Sequence, residues 1–252
     1  MNDAEAPGLL VLDQLTKWFG SLAAVESVRM DVAEGACHAL IGPNGAGKST
    51  LFNMVSGRIK PTAGRVLFSG RDITRFSEAE RNRVGIATTF QHSTLFDGLS
   101  VRANLELAVQ RRLGLGARAW PRRRDRARIT EAIDEHVVHS GLTDLMSTGA
   151  GELSHGQRRR LEIALALATE PRLLLLDEPA AGMSPGECEE LIALLRGLQG
   201  QTVVLIEHNI DLVMNVASRI SVLDAGRLLI EGAPAEVSGS TAVQEAYLGG
   251  AP

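Results

Sequence analysis

The chain has 252 residues, 44% of them hydrophobic, enough for a substantial buried core, and a formal net charge of -4 that gives no electrostatic reason to expect nucleic acid as a partner. No stretch approaches the roughly 18 uncharged apolar residues of a spanning helix, and residues 1–8 carry acids rather than a basic segment leading into an apolar one, so any membrane contact is expected to be peripheral. Two cysteines, Cys37 and Cys188, build no disulfide framework and lack metal-ligand spacing, which fits a reducing cytoplasm.

In chain order, apolar runs predict strands near 9–12, 25–32 and 37–41, with two adjacent aromatics, Trp18 and Phe19, between the first two. Residues 42–50 then read Gly-Pro-Asn-Gly-Ala-Gly-Lys-Ser-Thr, the pattern G-x-x-x-x-G-K-[ST]. In such a loop the backbone N–H groups of Asn44, Gly45, Ala46 and Gly47 close around phosphate oxygens, and Lys48 adds a point charge beside Ser49 and Thr50. Leu51, Phe52, Met54 and Val55 follow with helical spacing, so the loop lies between a strand and a helix N-terminus, where anions are favoured.

A strand near 65–68 precedes a short helix after Ser77, whose spacing to Glu80 is that of a capping box, and then a strand at 85–90. Ser100 opens a helix with Val101, Leu105 and Ala108 on one face, and further helices fill the chain to about Gly149. Eight arginines between Arg111 and Arg128 make this the most basic stretch, read as a solvated segment with a capacity for anionic lipid or an acidic partner surface.

Leu153-Ser154-His155-Gly156-Gln157 begins the next helix, Ser154 and Gln157 again having capping-box spacing. Leu173-Leu174-Leu175-Leu176-Asp177-Glu178-Pro179 reads as a strand buried on both faces that delivers two carboxylates at its end. Beside a phosphate loop these acids divide their work. Asp177 would hold Mg²⁺, largely through water, and Glu178 would orient and deprotonate an attacking water. Ser184, Pro185 and Glu187 then predict a capped helix to about Leu198, followed by strands at 202–206, 220–223 and 227–230.

These elements in this order resemble the nucleotide-binding subunit of ATP-binding cassette transporters, over roughly Leu9 to Gly249. The resemblance implies an α/β fold: a P-loop NTPase core with a β subdomain and an inserted helical subdomain at about 92–167, in one domain spanning 9–249 with tails at 1–8 and 250–252. It implies that Phe19 stacks on adenine, with Trp18 the packing neighbour, and that Val25 joins the nucleotide-binding set. It makes Gln91 a residue that contacts Mg²⁺ and water and relays nucleotide state to a membrane partner, and His208 a contact to the γ-phosphate. It further implies a head-to-tail pair in which Ser154, Gly156 and Gln157 of one subunit cover ATP held by the other, through N–H groups exposed at the helix start. The chain contains one phosphate loop and one such helix start, so the pair is expected from two chains.

Two positions depart from the commonest family pattern. His155 stands where glycine is usual, and Ser184 where aspartate is usual; Ser154 and Gly156 are in place around the first, and Ser184 keeps its capping role. The combination Thr89-Phe90-Gln91-His92, the Arg-rich insertion, Arg158-Arg159-Arg160-Leu161-Glu162-Ile163-Ala164, Asp177-Glu178-Pro179-Ala180-Ala181-Gly182-Met183 and Ile206-Glu207-His208-Asn209 resembles the larger ATPase subunit of bacterial branched-chain amino acid importers. That implies two membrane permease subunits, a second cassette ATPase, a solute-binding protein acting indirectly, no nucleic acid, and a peripheral place on the cytoplasmic face of the cell membrane. Urea and short-amide importers, lipopolysaccharide exporters with a similar ending at Tyr247-Leu248-Gly249, and soluble cassette ATPases are the alternatives.

Overall fold

The computed structural model describes residues 8–89, 95–115 and 123–248. A long hairpin, β1 (Leu10–Phe19) and β2 (Leu22–Val32), precedes β3 (Cys37–Ile41), which leads through the glycine-rich loop into α1 (Lys48–Ser56). Next come β4 (Ala63–Phe68), β5 (Arg71–Asp72), α2 (Glu78–Arg83) and β6 (Ile86–Thr88). The helical part consists of α3 (Val101–Arg112), α4 (Arg123–Ser140) and α5 (His155–Leu167), with short 3-10 turns at Thr143–Leu145 and Ala150–Glu152. The chain continues as β7 (Leu173–Asp177), α6 (Pro185–Gly197), β8 (Thr202–Ile206), α7 (Ile210–Val216), β9 (Arg219–Asp224), β10 (Arg227–Gly232), α8 (Pro234–Ser238) and α9 (Thr241–Leu248).

One sheet is antiparallel, in the order β2-β1-β4-β5. The other runs β10-β9-β3-β8-β7-β6, parallel except for β10. The four consecutive leucines of β7 are required by this geometry. Successive side chains of a strand point to opposite faces, and here Leu173 and Leu175 enter one apolar cluster while Leu174 and Leu176 enter another. β8 divides likewise: Val204 and Ile206 face the β1, β2 and α1 side, and Val203 and Leu205 face α6 and α7. Each such leucine removed from water is worth about 2 kcal/mol, which fixes the register of the strands that carry the site.

α5 spans two cores. Its Ile163 and Leu167 pack under the parallel sheet, whereas Leu161, Ala164 and Ala168 join Val101, Leu105 and Val109 of α3 and Ile129 and Ile133 of α4. α5 thus joins the helical part to the parallel sheet through one continuous helix. The predicted caps are present: Ser77 with Glu80, Ser100 with the Ala103 N–H, and Ser184 with Glu187.

Two expectations are corrected here. β1 runs well past Leu12, because its pairing with β2 continues through register shifts at Leu12/Leu15, Leu15/Lys17 and Lys17/Trp18. Those irregularities carry Trp18 outward. It is 43% exposed and gives its backbone N–H to Thr62 Oγ1 at 3.1 Å, so it is not a core-packing residue. Gln91 and His92, and the middle of the Arg-rich stretch at 116–122, lie outside the described residues. Of the arginines that are described, Arg112 forms an ion pair with Glu170.

Candidate functional site

The site is set by strand register. Leu40 of β3 and Asp177 of β7 both pair with Ile206 of β8, so the residues following three neighbouring parallel strands emerge side by side at one edge of the sheet. The carboxyl ends of parallel strands are where open α/β sheets bind ligands.

After β3 the loop backs tightly onto its surroundings. Gly47 has φ +98, and a Cβ there would stand 2.3 Å from the Ala24 carbonyl oxygen, so only glycine lets the loop turn into α1 at this point. Val25 lies beneath Gly47 and is fully buried. Its side chain packs against the loop at Gly47 and so supports the turn into α1. Ala46 is also buried, its N–H spent on the Pro43 carbonyl, while Asn44, Gly45 and Ser49 are exposed and Thr50 half-buried. Lys48, only 5% exposed, folds its Nζ into the loop and donates to the carbonyls of Gly42 at 2.7 Å and Pro43 at 2.9 Å. Burial lowers its pKa, and the nearby negative charge of Glu178 opposes that shift.

After β7 come the two acids. Asp177 is 5% exposed, and its Oδ1 is buried with no hydrogen-bond partner among the described residues. Burial raises its pKa, Glu178 adds to the rise, and Arg58 and Arg159 oppose it. An orphaned, desolvated carboxylate oxygen at the carboxyl end of β7 fits a small hard cation that keeps most of its water. Among the described residues there is no group of three or more His, Cys, Asp or Glu that could hold a metal ion.

Glu178 has φ +45, a strained value for a side-chain-bearing residue, and its N–H donates to the Ile206 carbonyl at 3.0 Å. His208, two residues beyond β8, meets it: Nε2 donates to Glu178 Oε1 at 2.8 Å. Glu207 secures this arrangement. Only 3% exposed, it accepts from the Ala180 N–H at 2.7 Å with one oxygen and from the His208 and Asn209 N–H groups at 2.9 and 3.1 Å with the other. One carboxylate thus ties the turn after Glu178 to the turn that carries His208. Neither this role nor that of Arg159, which donates to the Asp177 carbonyl at 2.6 Å, was read from the sequence. The only local signal was an acid placed directly between an apolar strand and His208.

At the start of α5, Ser154 and Gln157 form the predicted capping box. The N–H groups there are not simply exposed, however. Gly156 donates to Glu187 Oε1 at 3.0 Å, and Ser154 Oγ donates to the same oxygen at 2.9 Å. His155 leans over the loop after Glu178, its Cε1 3.6 Å from where a Cβ on Gly182 would stand. With Arg158, Glu162, Asp177 and Glu178 it borders a cavity of about 330 Å³. Phe19 is 50% exposed at the end of β1, with Lys17 Nζ 5.1 Å from its ring centroid, leaving an aromatic face open to solvent.

The family profile described as "ABC transporter" matches residues 25–181. The chain is 39% identical over 249 residues to the high-affinity branched-chain amino acid transport ATP-binding protein LivG of Salmonella typhimurium, covering 96% of this chain and 98% of that one. It is 38% identical, with the same coverage, to the corresponding protein BraF of Pseudomonas aeruginosa. Among solved structures, the ADP conformation of MJ1267, an ATP-binding cassette of an ABC transporter, superposes with a TM-score of 0.83 at 32% identity, over 97% of this chain and 100% of that one. A dimeric post-hydrolysis cassette, MJ0796 bound to ADP and Pi, gives 0.70 at 28% identity over 89% and 98%.

Proposed function

The chain belongs to the ABC transporter family of ATPases, and on that premise we propose that it is the ATP-binding and ATP-hydrolysing subunit of a bacterial importer for branched-chain amino acids or a related small solute. The observation that carries the reading is the convergence of Lys48, Asp177, Glu178 and His208 at the ends of β3, β7 and β8.

In this reading ATP lies with its phosphates in the N–H cradle of residues 44–50 and its adenine on Phe19. Lys48 exchanges its bonds to the loop carbonyls for bonds to phosphate. Glu178 accepts the proton of a water in line with the γ-phosphorus; as the new P–O bond forms, the bond to the β,γ-bridging oxygen breaks and ADP leaves. His208 holds the Glu178 carboxylate and faces the charge that develops on the γ-phosphoryl oxygens, and Glu207 holds His208 in turn. Ser49, Asp177 and Gln91 are the residues that would hold Mg²⁺. When bound there, the ion neutralises charge on the β- and γ-phosphates.

We read the chain as a single cassette domain, 9–249, with its helical subdomain at about 92–167, and as half of an engine. Ser154, Gly156 and Gln157 of one copy complete the ATP site of a second cassette subunit, identical or related. Similarity to a dimeric cassette supports the pairing, and similarity to importer subunits supports two permeases as membrane partners on the cytoplasmic face. Among the described residues no helix is long and apolar enough to cross a membrane.

The test is to recover tagged Glu178→Gln chain from its native membranes with Mg²⁺ and ATP present and to identify what stays bound by mass spectrometry. Two permeases with a second cassette ATPase are expected. Recovery of soluble partners alone would overturn the transport reading.

A further inference from the structure

Glu187 binds two loops at once. Its Oε2 accepts from the Ser184 N–H at 3.0 Å and from Ser184 Oγ at 2.9 Å, the reciprocal half of the α6 cap. Its Oε1 turns away and accepts from Ser154 Oγ and the Gly156 N–H at the start of α5. The fit is close: a Cβ on Gly156 would come within 2.6 Å of that oxygen, so the glycine is what admits the carboxylate. These four bonds, the backbone one from Ser184 foremost, hold the Glu187 carboxyl down at about 2, and it stays ionised at any physiological pH.

The donors that Glu187 engages are the hydroxyl and N–H that the paired-subunit reading offers to the γ-phosphate of a partner's ATP. We propose that Glu187 is a positioning residue that serves as a resident anion in the separated chain, occupying Ser154 and Gly156 until ATP on a partner displaces it. The inference rests on the paired-site reading given above. Two anions cannot share one pair of donors, so Glu187 sets the threshold for closure. Pairing is then penalised by the fraction of chains in which the donors are free.

If Glu187 only braces the two loops, its loss weakens pairing. If it competes with phosphate, its loss strengthens pairing even as the α6 cap is weakened. The experiment is sedimentation velocity of the Glu178→Gln chain with Mg²⁺ and ATP, with and without Glu187→Gln or Glu187→Ala, and thermal unfolding to show that each variant is folded. Removal of the carboxylate is expected to lower the ATP concentration for half-maximal self-association about tenfold, while the unfolding temperature falls or holds. An unchanged or raised midpoint in folded variants overturns this inference alone. Absence of any ATP-dependent pair in Glu178→Gln, up to saturating ATP, overturns pairing between identical chains and this inference with it, while pairing with a related subunit stands.

Discussion

Glu178 and His208, 30 residues apart in the chain, are joined by a 2.8 Å hydrogen bond at the ends of two neighbouring parallel strands. Both depend on buried support. Glu178 is held in a left-handed conformation at φ +45, and His208 takes its backbone position from Glu207. Removing the imidazole leaves the carboxylate in place but free to rotate. His208→Ala is therefore expected to lower single-turnover hydrolysis by about 10²–10³ while ATP affinity changes little. Fluorescent-ATP binding and chemical quench on the same sample check both halves, and undiminished hydrolysis would contradict the role.

Lys48 acts earlier. Its Nζ already lies inside the loop, bonded to the Gly42 and Pro43 carbonyls, so its charge meets phosphate in the ground state. Lys48→Ala should weaken ATP binding by about tenfold or more, the loss of a charge-assisted contact worth about 1.5–3 kcal/mol. Equilibrium titration with labelled ATP measures it directly, and intact binding would contradict the assignment.

Arg81 predicts a stability effect without chemistry. Its guanidinium, 1% exposed, donates to the carbonyls of Met54 and Val55 at the end of α1 and to those of Ile73, Thr74 and Phe76, at 2.5–3.3 Å. Among the described residues no carboxylate hydrogen-bonds it; it closes a buried helix end. Arg81→Met leaves those carbonyls unsatisfied and should cost about 2–4 kcal/mol, read as a lower denaturation midpoint at unchanged slope. A variant as stable as the parent would show that water replaces the guanidinium.

His38 predicts a pH dependence. Buried in β3, it shares a hydrogen bond with Ser221 Oγ, which itself donates to Glu231, and Arg219 pairs with the same Glu231. Burial pushes the His38 imidazole down to about 4; Glu231 acts in the opposite direction and Arg219 adds to the depression. Above the unfolded value near 6.5 both states are neutral at this site and nothing changes. As pH falls from there towards 4, the unfolded chain takes up the proton first and stability falls by at most about 3 kcal/mol. His38→Asn should flatten that part of the stability profile. An identical slope in the variant would assign the loss elsewhere.

His155 tests the first departure from the common pattern. It sits over Gly182 beside the cavity that Glu178 borders, so a side chain that matters to turnover acts at that wall. His155→Gly is then expected to change the single-turnover rate of ATP hydrolysis, and an unchanged rate removes the residue from the mechanism.

How much of this could be read from the sequence depends on how local each cause is. The caps at Ser77, Ser100, Ser154 and Ser184 are short-range patterns and are found where spacing puts them. The leucine run of β7 announces burial on both faces because only a central parallel strand needs it. Trp18 is exposed where packing is expected because a register shift leaves no local trace in the sequence. Glu207, Arg81 and the second half of the Glu187 contact were missed for the same reason, since each binds backbone groups that the fold, and not the neighbouring sequence, brings near.

The central claim, that Glu178 accepts the proton of the attacking water, is tested most directly by single-turnover hydrolysis of Mg²⁺–ATP by Glu178→Gln, with ATP affinity measured on the same preparation. Turnover is expected to fall by about 10²–10⁴ with affinity essentially retained, because the base acts only in the chemical step. Hydrolysis at the parent rate would contradict it.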